Sequence, residues 1–273
     1  MISKKQNFLE RFYIWLVLII LYAPILVLVV CSFNDSKSRV VWGGFTLHWY
    51  TDLFQNTEVL DAVKTSLALT ISAAVIATLL GTIACIGMSA MKKSRKKVLM
   101  TITNIPMLNA DIVTGIAIML LFVRFFDLGF ASMLVAHVTL GVPYVILNVM
   151  PKLQQANRST FEAALDLGAT PVYAFFKVVL PDIMPGILSG FLLSFTISLD
   201  DFVVTYFTKG AGMNTISTMI YQQARRGINP QMYALSTILF LIILLVLWGA
   251  NRASARKPGA AKAKRKKRRP GKA

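Results

Sequence analysis

Six stretches of nearly unbroken apolar residues, 12–33, 62–91, 98–125, 131–150, 183–207 and 232–251, alternate with shorter polar segments. A helix needs about 20 apolar residues to cross the hydrocarbon core of a bilayer, so each stretch predicts a membrane-spanning helix. Pro24 lies inside the first stretch, and Pro106 interrupts the third, which also contains Asn104, Asn109 and Asp111. In the second, Ala73, Ala77 and Gly81 recur every fourth residue, and Ala84 and Gly87 continue the small-residue trend. Such a face predicts close packing on neighbouring helices, because lipid gives apolar side chains no drive to associate.

The polar segments carry local signals of their own. Residues 34–60 are turn-rich, with Trp42 and Trp49 suited to an interfacial belt and residues 46–54 to a short helix on the membrane surface. Residues 208–231 are polar and contain glycine. Between the fourth and fifth stretches, Ser159-Thr-Phe-Glu162 fits a capping box, with hydroxyl and carboxylate satisfying the free N–H groups of a helix start. Gly168 suits the left-handed turn that ends a helix, and Thr170-Pro171 restarts one, threonine as cap and proline in its first turn. Two short helices at an elbow are predicted, closed by Leu180-Pro181. Ala163 and Ala164 keep one flank thin enough for a partner surface to approach the backbone.

Composition agrees with the apolar pattern: 56% of the 273 residues are hydrophobic and the mean hydropathy is +0.63. Such a chain is a multi-pass membrane protein rather than a soluble domain. The first stretch is too long for a secretory signal and lacks a small-residue cleavage site. Cys31 and Cys85 both fall in apolar runs and read as small core residues. His48 and His137 have no ligand-type neighbours in sequence, so no metal site is expected.

The net charge of +17 is unevenly placed. Lys and Arg concentrate in the arm 1–11, in 92–97, around 152–177 and from Arg252 onward, which together hold twenty-two of the 29. Six spans put these segments on one side, and the excess of cations assigns that side, with both termini, to the cytoplasm. The tail 252–273 is basic and low in hydrophobicity, which predicts disorder. Anionic lipid headgroups are its nearest partners, at about 1 kcal/mol per basic residue, and are favoured over nucleic acid.

The segment Glu162-Ala163-Ala164, three residues, Gly168, nine residues, then Val178-Val179-Leu180-Pro181 resembles the EAA loop of ABC-importer permeases. Val178 stands where isoleucine is commoner in that family. The runs Ser32-Phe-Asn-Asp-Ser, Trp42 to Tyr50, Asp111-Ile-Val and Ser198-Leu-Asp-Asp-Phe202 are similar to the spermidine/putrescine type. The resemblance covers roughly residues 12–251. It implies an all-α, six-span permease of the type I, MetI-like fold, in the bacterial inner membrane. Residues 159–181 would be its cytoplasmic coupling segment, with Glu162, Ala163, Ala164, Gly168, Leu180 and Pro181 seating in an ATPase. It implies as partners a second permease subunit, two cytosolic ATPases carrying ATP and Mg, and an extracytoplasmic polyamine-binding protein. The chain itself has no Gly-x4-Gly-Lys-Ser/Thr phosphate loop, metal cluster or nucleophile–base pair, so it reads as a transport subunit without cofactor rather than an enzyme.

Carboxylates inside spans are the candidate pathway residues, since an ionised aspartate at the bilayer centre costs about 2.5–3.5 kcal/mol and usually faces a cavity or a partner. On a continuous fifth helix, Ser194, Ser198, Asp201 and Thr205 form one polar stripe, with Asp200 turned about 100° from it towards Thr196. Asp201 therefore ranks above Asp200, with Asp111 between them. Acids attract cations, and Tyr144, Phe202 and Tyr206 supply aromatic faces for an ammonium group. The alternative for these acids is pairing with cations of a partner subunit, or placement in headgroup water. A permease for another solute, such as thiamine or ferric ion, and an ATPase-independent channel or secondary transporter are the competing functions.

Overall fold

The computed structural model describes residues 4–36, 41–226 and 229–255. The chain runs through α1 (Lys4–Cys31), α2 (His48–Gln55), α3 (Thr57–Ser89), α4 (Lys93–Thr103), α5 (Ile105–Leu108) and α6 (Asp111–Phe125). It continues with α7 (Phe130–Gln155), α8 (Arg158–Asp166), α9 (Pro171–Ala174), a π-helical segment (Phe175–Val179) and α10 (Leu180–Asp200). The last helices are α11 (Val203–Thr208), α12 (Ile216–Arg226) and α13 (Pro230–Ala255). Two compact units result, one of residues Met1–Asn56 with Gln223–Ala273, the other of Thr57–Gln222.

In the first unit α1 is apolar on all sides from Phe12 onward, and α13 packs against both α1 and α2. Helical structure begins at Lys4, so most of the predicted arm is an extension of the first span. The turn-rich stretch after α1 folds back through an isolated bridge between Asn34 and Phe45. Trp49 donates its ring N–H to the Asn34 carbonyl at 2.8 Å and is buried, so it is a packing residue of this unit rather than an interfacial belt. Trp42 stays exposed. The predicted surface helix is α2, and the basic tail beyond residue 255 lies outside the described residues.

The second unit is built on α3, α7 and α10. Ala73, Ala77 and Gly81 lie on the buried face of α3, as their spacing predicts, whereas Gly87 lies off that face with open space around it. Val145 on α7 sits between two glycines: a Cβ on Gly81 would lie 2.7 Å from its Cγ1, and one on Gly190 of α10 would lie 3.1 Å from its Cα. Removing both Cβ atoms lets the three backbones approach within packing distance. Val145, Ile146, Val149 and Met150 meet Ala77, Cys85, Met88 and Ile183 there in one core.

Two predicted spans are broken, the third where Pro106 signals it and the fifth where a continuous helix is expected. The third divides into α4, α5 and α6, with gaps at Asn104 and at 109–110; Pro106 lies in the first turn of α5, where its missing N–H costs least. The fifth ends at Asp200, and after a two-residue break the short α11 packs against α6 and α7. At the other end of α10 the helix extends back further than expected. Leu180-Pro181 does not close the elbow, because α9, the π-helical segment and α10 form one helical run, Pro171–Asp200. The π-helical turn lies directly before Pro181, where the ring would otherwise meet the carbonyl four residues back.

Candidate functional site

Two places in the second unit concentrate chemistry, the elbow between α7 and α10 and a cavity beside the break between α10 and α11. At the elbow, α8 begins two residues earlier than the capping-box pattern implies. Asn157 is its cap, and the Asn157 side-chain oxygen accepts from the Ser159 N–H at 3.1 Å and from the Ser159 hydroxyl at 2.6 Å. Ser159 is therefore already inside the helix, at its second position, rather than its cap. The helix ends as its sequence predicts. Gly168 takes φ +87°, its N–H reaches the Leu165 carbonyl at 2.9 Å, and the Ala169 N–H reaches Ala164 at 3.1 Å. This pair of bonds satisfies carbonyls that would otherwise be orphaned at the helix end. Thr170 then caps α9 by accepting from the Tyr173 N–H, with Pro171 at its first position.

Glu162 and Ala163 are exposed on α8 and Ala164 is half-buried. Around the turn, Leu167 is 89% exposed, Val172 67% and Phe176 58%, with Tyr173 also open. Large exposed apolar side chains on a short capped elbow mark a surface that contacts either a partner or the membrane. Leu180 and Pro181 lie in the helical run beyond.

The cavity encloses about 370 Å³ and is lined by Asp111 at the start of α6, Tyr144 of α7, Thr196 and Asp200 of α10, and Asp201 and Phe202 of the break. Residues far apart in sequence thus converge, because both broken spans present their breaks to it. Tyr206 is not on the wall, but its ring lies 5.5 Å from that of Phe202, tilted 42° to it. Tyr221 of α12, which no spacing argument singled out, lies closer still, with ring centroids 4.2 Å apart.

The three acids differ in what holds them. Asp111 and Asp200 are exposed and have no hydrogen bond or ion pair among the described residues. The side chain of Asp201 is only 8% exposed. One of its oxygens accepts from the Thr205 N–H at 2.8 Å and the Thr205 hydroxyl at 2.9 Å, and the other faces the Val204 N–H at 3.3 Å. It therefore satisfies free N–H groups at the start of α11, where the helix dipole also favours an anion.

Behind Asp201 lies His137 of α7. Its Nδ1 is 2.7 Å from the Ser198 hydroxyl and its Nε2 is 2.8 Å from the Thr205 hydroxyl. The stripe Ser194, Ser198, Asp201 and Thr205 thus turns mainly into the protein; Ser194, Ser198 and Thr205 are buried. The sequence contained the signal, hydroxyls and an acid at helical spacing plus one histidine in an apolar span, but not the direction of the stripe.

Residues 77–257 match the family described as binding-protein-dependent transport system inner membrane component. The chain is 38% identical over 227 residues to the putrescine transport system permease protein PotI of Escherichia coli K12, spanning 80% of this chain and 81% of that one. It is 35% identical over 237 residues to the spermidine/putrescine transport system permease protein PotC of the same strain, spanning 86% and 89%. Against PotC of Haemophilus influenzae the figures are 36% over 244 residues, 89% and 95%. Among solved structures, a bacterial ABC transporter involved in import of the acidic polysaccharide alginate superposes with TM-score 0.68 at 18% identity, over 92% of this chain and 95% of that one. The MetNI methionine ABC transporter, inward facing, superposes with TM-score 0.59 at 17% identity, over 77% and 97%. These two likenesses show the fold.

Proposed function

Because the chain belongs to the family of binding-protein-dependent transport system inner membrane components, we propose that it is the permease subunit of an ATP-driven importer of polyamines such as putrescine and spermidine. The observation that carries the substrate class is the cavity, in which the free carboxylates of Asp111 and Asp200 stand beside Tyr144 and Phe202. Carboxylates draw in ammonium groups and repel anions, and aromatic faces hold a cation while accommodating its methylene chain. Asp201 contributes negative potential from the wall, and Tyr206 supports Phe202 from behind.

Polyamine permeases are named among the relatives, and that supports the same substrate class. The distribution of Lys and Arg favours a cytoplasmic location for both termini and for the elbow. There Glu162, Ala163, Ala164 and Gly168, with the exposed Leu167, Val172 and Phe176, form the face for a separate ATPase. A second permease subunit completes the route, and an extracytoplasmic binding protein delivers the polyamine.

The helical run Pro171–Asp200 supports a route for force between the elbow and the cavity. Thirty residues at 1.5 Å each make a rod of about 45 Å. ATPase closure pushes the elbow, and the rod carries the displacement to Asp200 in the cavity wall. Leu180 and Pro181 lie within the rod, so they belong to the transmission rather than to its docking end. The test is putrescine uptake by the reconstituted transporter. ATP-dependent uptake, together with an ATPase that co-purifies in detergent, is the expected result. Uptake that proceeds without ATP, by a chain that purifies alone, would overturn the importer reading.

A further inference from the structure

We infer that His137 is a positioning residue for the cavity: it braces the break between α10 and α11 and thereby sets which of two adjacent carboxylates faces the substrate. The inference rests on the reading of the cavity as part of the polyamine route. His137 does not itself line the cavity, and its Nε2 lies 3.6 Å from the carboxylate of Asp201, which does. Its side chain is 1% exposed, and it bonds Ser198 before the break and Thr205 after it.

The hydrogen bonds form a directed chain. The Thr205 hydroxyl has one proton, which it donates to the Asp201 carboxylate at 2.9 Å, so it accepts from the Nε2–H of His137. Nδ1 then accepts from the Ser198 hydroxyl. Every member of this buried network is satisfied by the others, and such networks hold one geometry because any partial version strands a polar group away from water.

That geometry has a consequence for the acids. At the break the Thr205 N–H bonds the Asp201 carboxylate at 2.8 Å, in place of a carbonyl within the helix. The bonds that a continuous helix would make are thus replaced by one side chain, which His137 and Thr205 hold from behind. With Asp201 fixed in this role, Asp200 is left exposed on the cavity wall. Were the brace absent, Asp201 would be free to turn outward and the break to shift, and Asp200 would lose its register with Asp111.

The experiment measures putrescine uptake by the assembled transporter carrying His137→Ala, His137→Gln and Thr205→Val. Loss of one or two buried hydrogen bonds predicts that His137→Ala lowers uptake roughly tenfold. His137→Gln, which keeps a donor and an acceptor, recovers most of that loss. His137→Ala and Thr205→Val together are no worse than the worse of the two, because both break one network. Where His137→Ala fails to assemble with the ATPase, Ser198→Ala takes its place in the same cycle. Wild-type uptake in these variants, or losses that multiply in the double variant, overturns the role of His137. Uptake indifferent to Asp111→Asn with Asp200→Asn overturns the cavity as the route, which is a separate result.

Discussion

Asp200 and Asp201 are neighbours in the chain and opposites in the structure. The Asp200 carboxylate is exposed at the cavity with no partner among the described residues, whereas the Asp201 side chain is 8% exposed and bonded to the first turn of α11. An acid free to exchange water for an ammonium group is the better ligand, because it gives up no existing bond. Asp111→Asn and Asp200→Asn are each expected to lower putrescine uptake roughly 10- to 100-fold, the range for losing one charge-assisted hydrogen bond. Radiolabelled uptake at fixed protein level checks this, with Asp200→Glu retaining more activity than Asp200→Asn.

Gly168 has a φ of +87°, where a Cβ is strained whatever the space around it. Gly168→Ala is expected to cost about 1–2 kcal/mol locally and to loosen the end of α8. Gly168→Asn should be milder, since asparagine tolerates this region. Uptake per ATP hydrolysed should fall in the alanine variant while the amount of subunit in the membrane stays constant. Both quantities are measurable in the same vesicles.

The approach of Gly81 to Val145 gives a packing test independent of function. A Cβ at 2.7 Å from Val145 Cγ1 forces a shift, so Gly81→Ala is expected to destabilise the subunit by about 1–3 kcal/mol. Val145→Ala removes Cγ1 but keeps the Cβ, which would lie 2.8 Å from the new atom, so it adds a void without relieving the clash. The double variant should therefore unfold at a lower temperature than Gly81→Ala alone, as read by thermal unfolding in detergent.

Val172 is 67% exposed at the elbow, and a cysteine there reports its side of the membrane. In intact cells Val172→Cys should resist a membrane-impermeant thiol reagent, and it should react after permeabilisation. Labelling from outside would remove the elbow from reach of any cytoplasmic ATPase.

Much of this fold is legible from apolar run length alone, because a bilayer admits few solutions for a buried backbone. The small-residue face on α3 and the turn at Gly168 follow from residue type in the same direct way. The break in the fifth span does not. Asp201-Phe202 contains neither glycine nor proline, and the interruption exists because the Asp201 side chain replaces helical bonds with help from His137, a contact 64 residues distant in sequence. The early start of α8 and the burial of Trp49 are hidden for a similar reason, since one depends on Asn157 capping in place of Ser159 and the other on a bond to the Asn34 carbonyl 15 residues away.

Val145, held between Gly81 and Gly190, bears on where motion is possible at all. Backbones meshed that closely cannot slide past one another without lifting apart, so α3, α7 and α10 must travel together as a solid block. Opening and closing then fall to α5 and α6, jointed onto that block through residues 104–110, since α11 is tied into it by the bond between Thr205 and His137. A cross-link that pins α5 or α6 to this unyielding wedge is therefore expected to stall putrescine uptake.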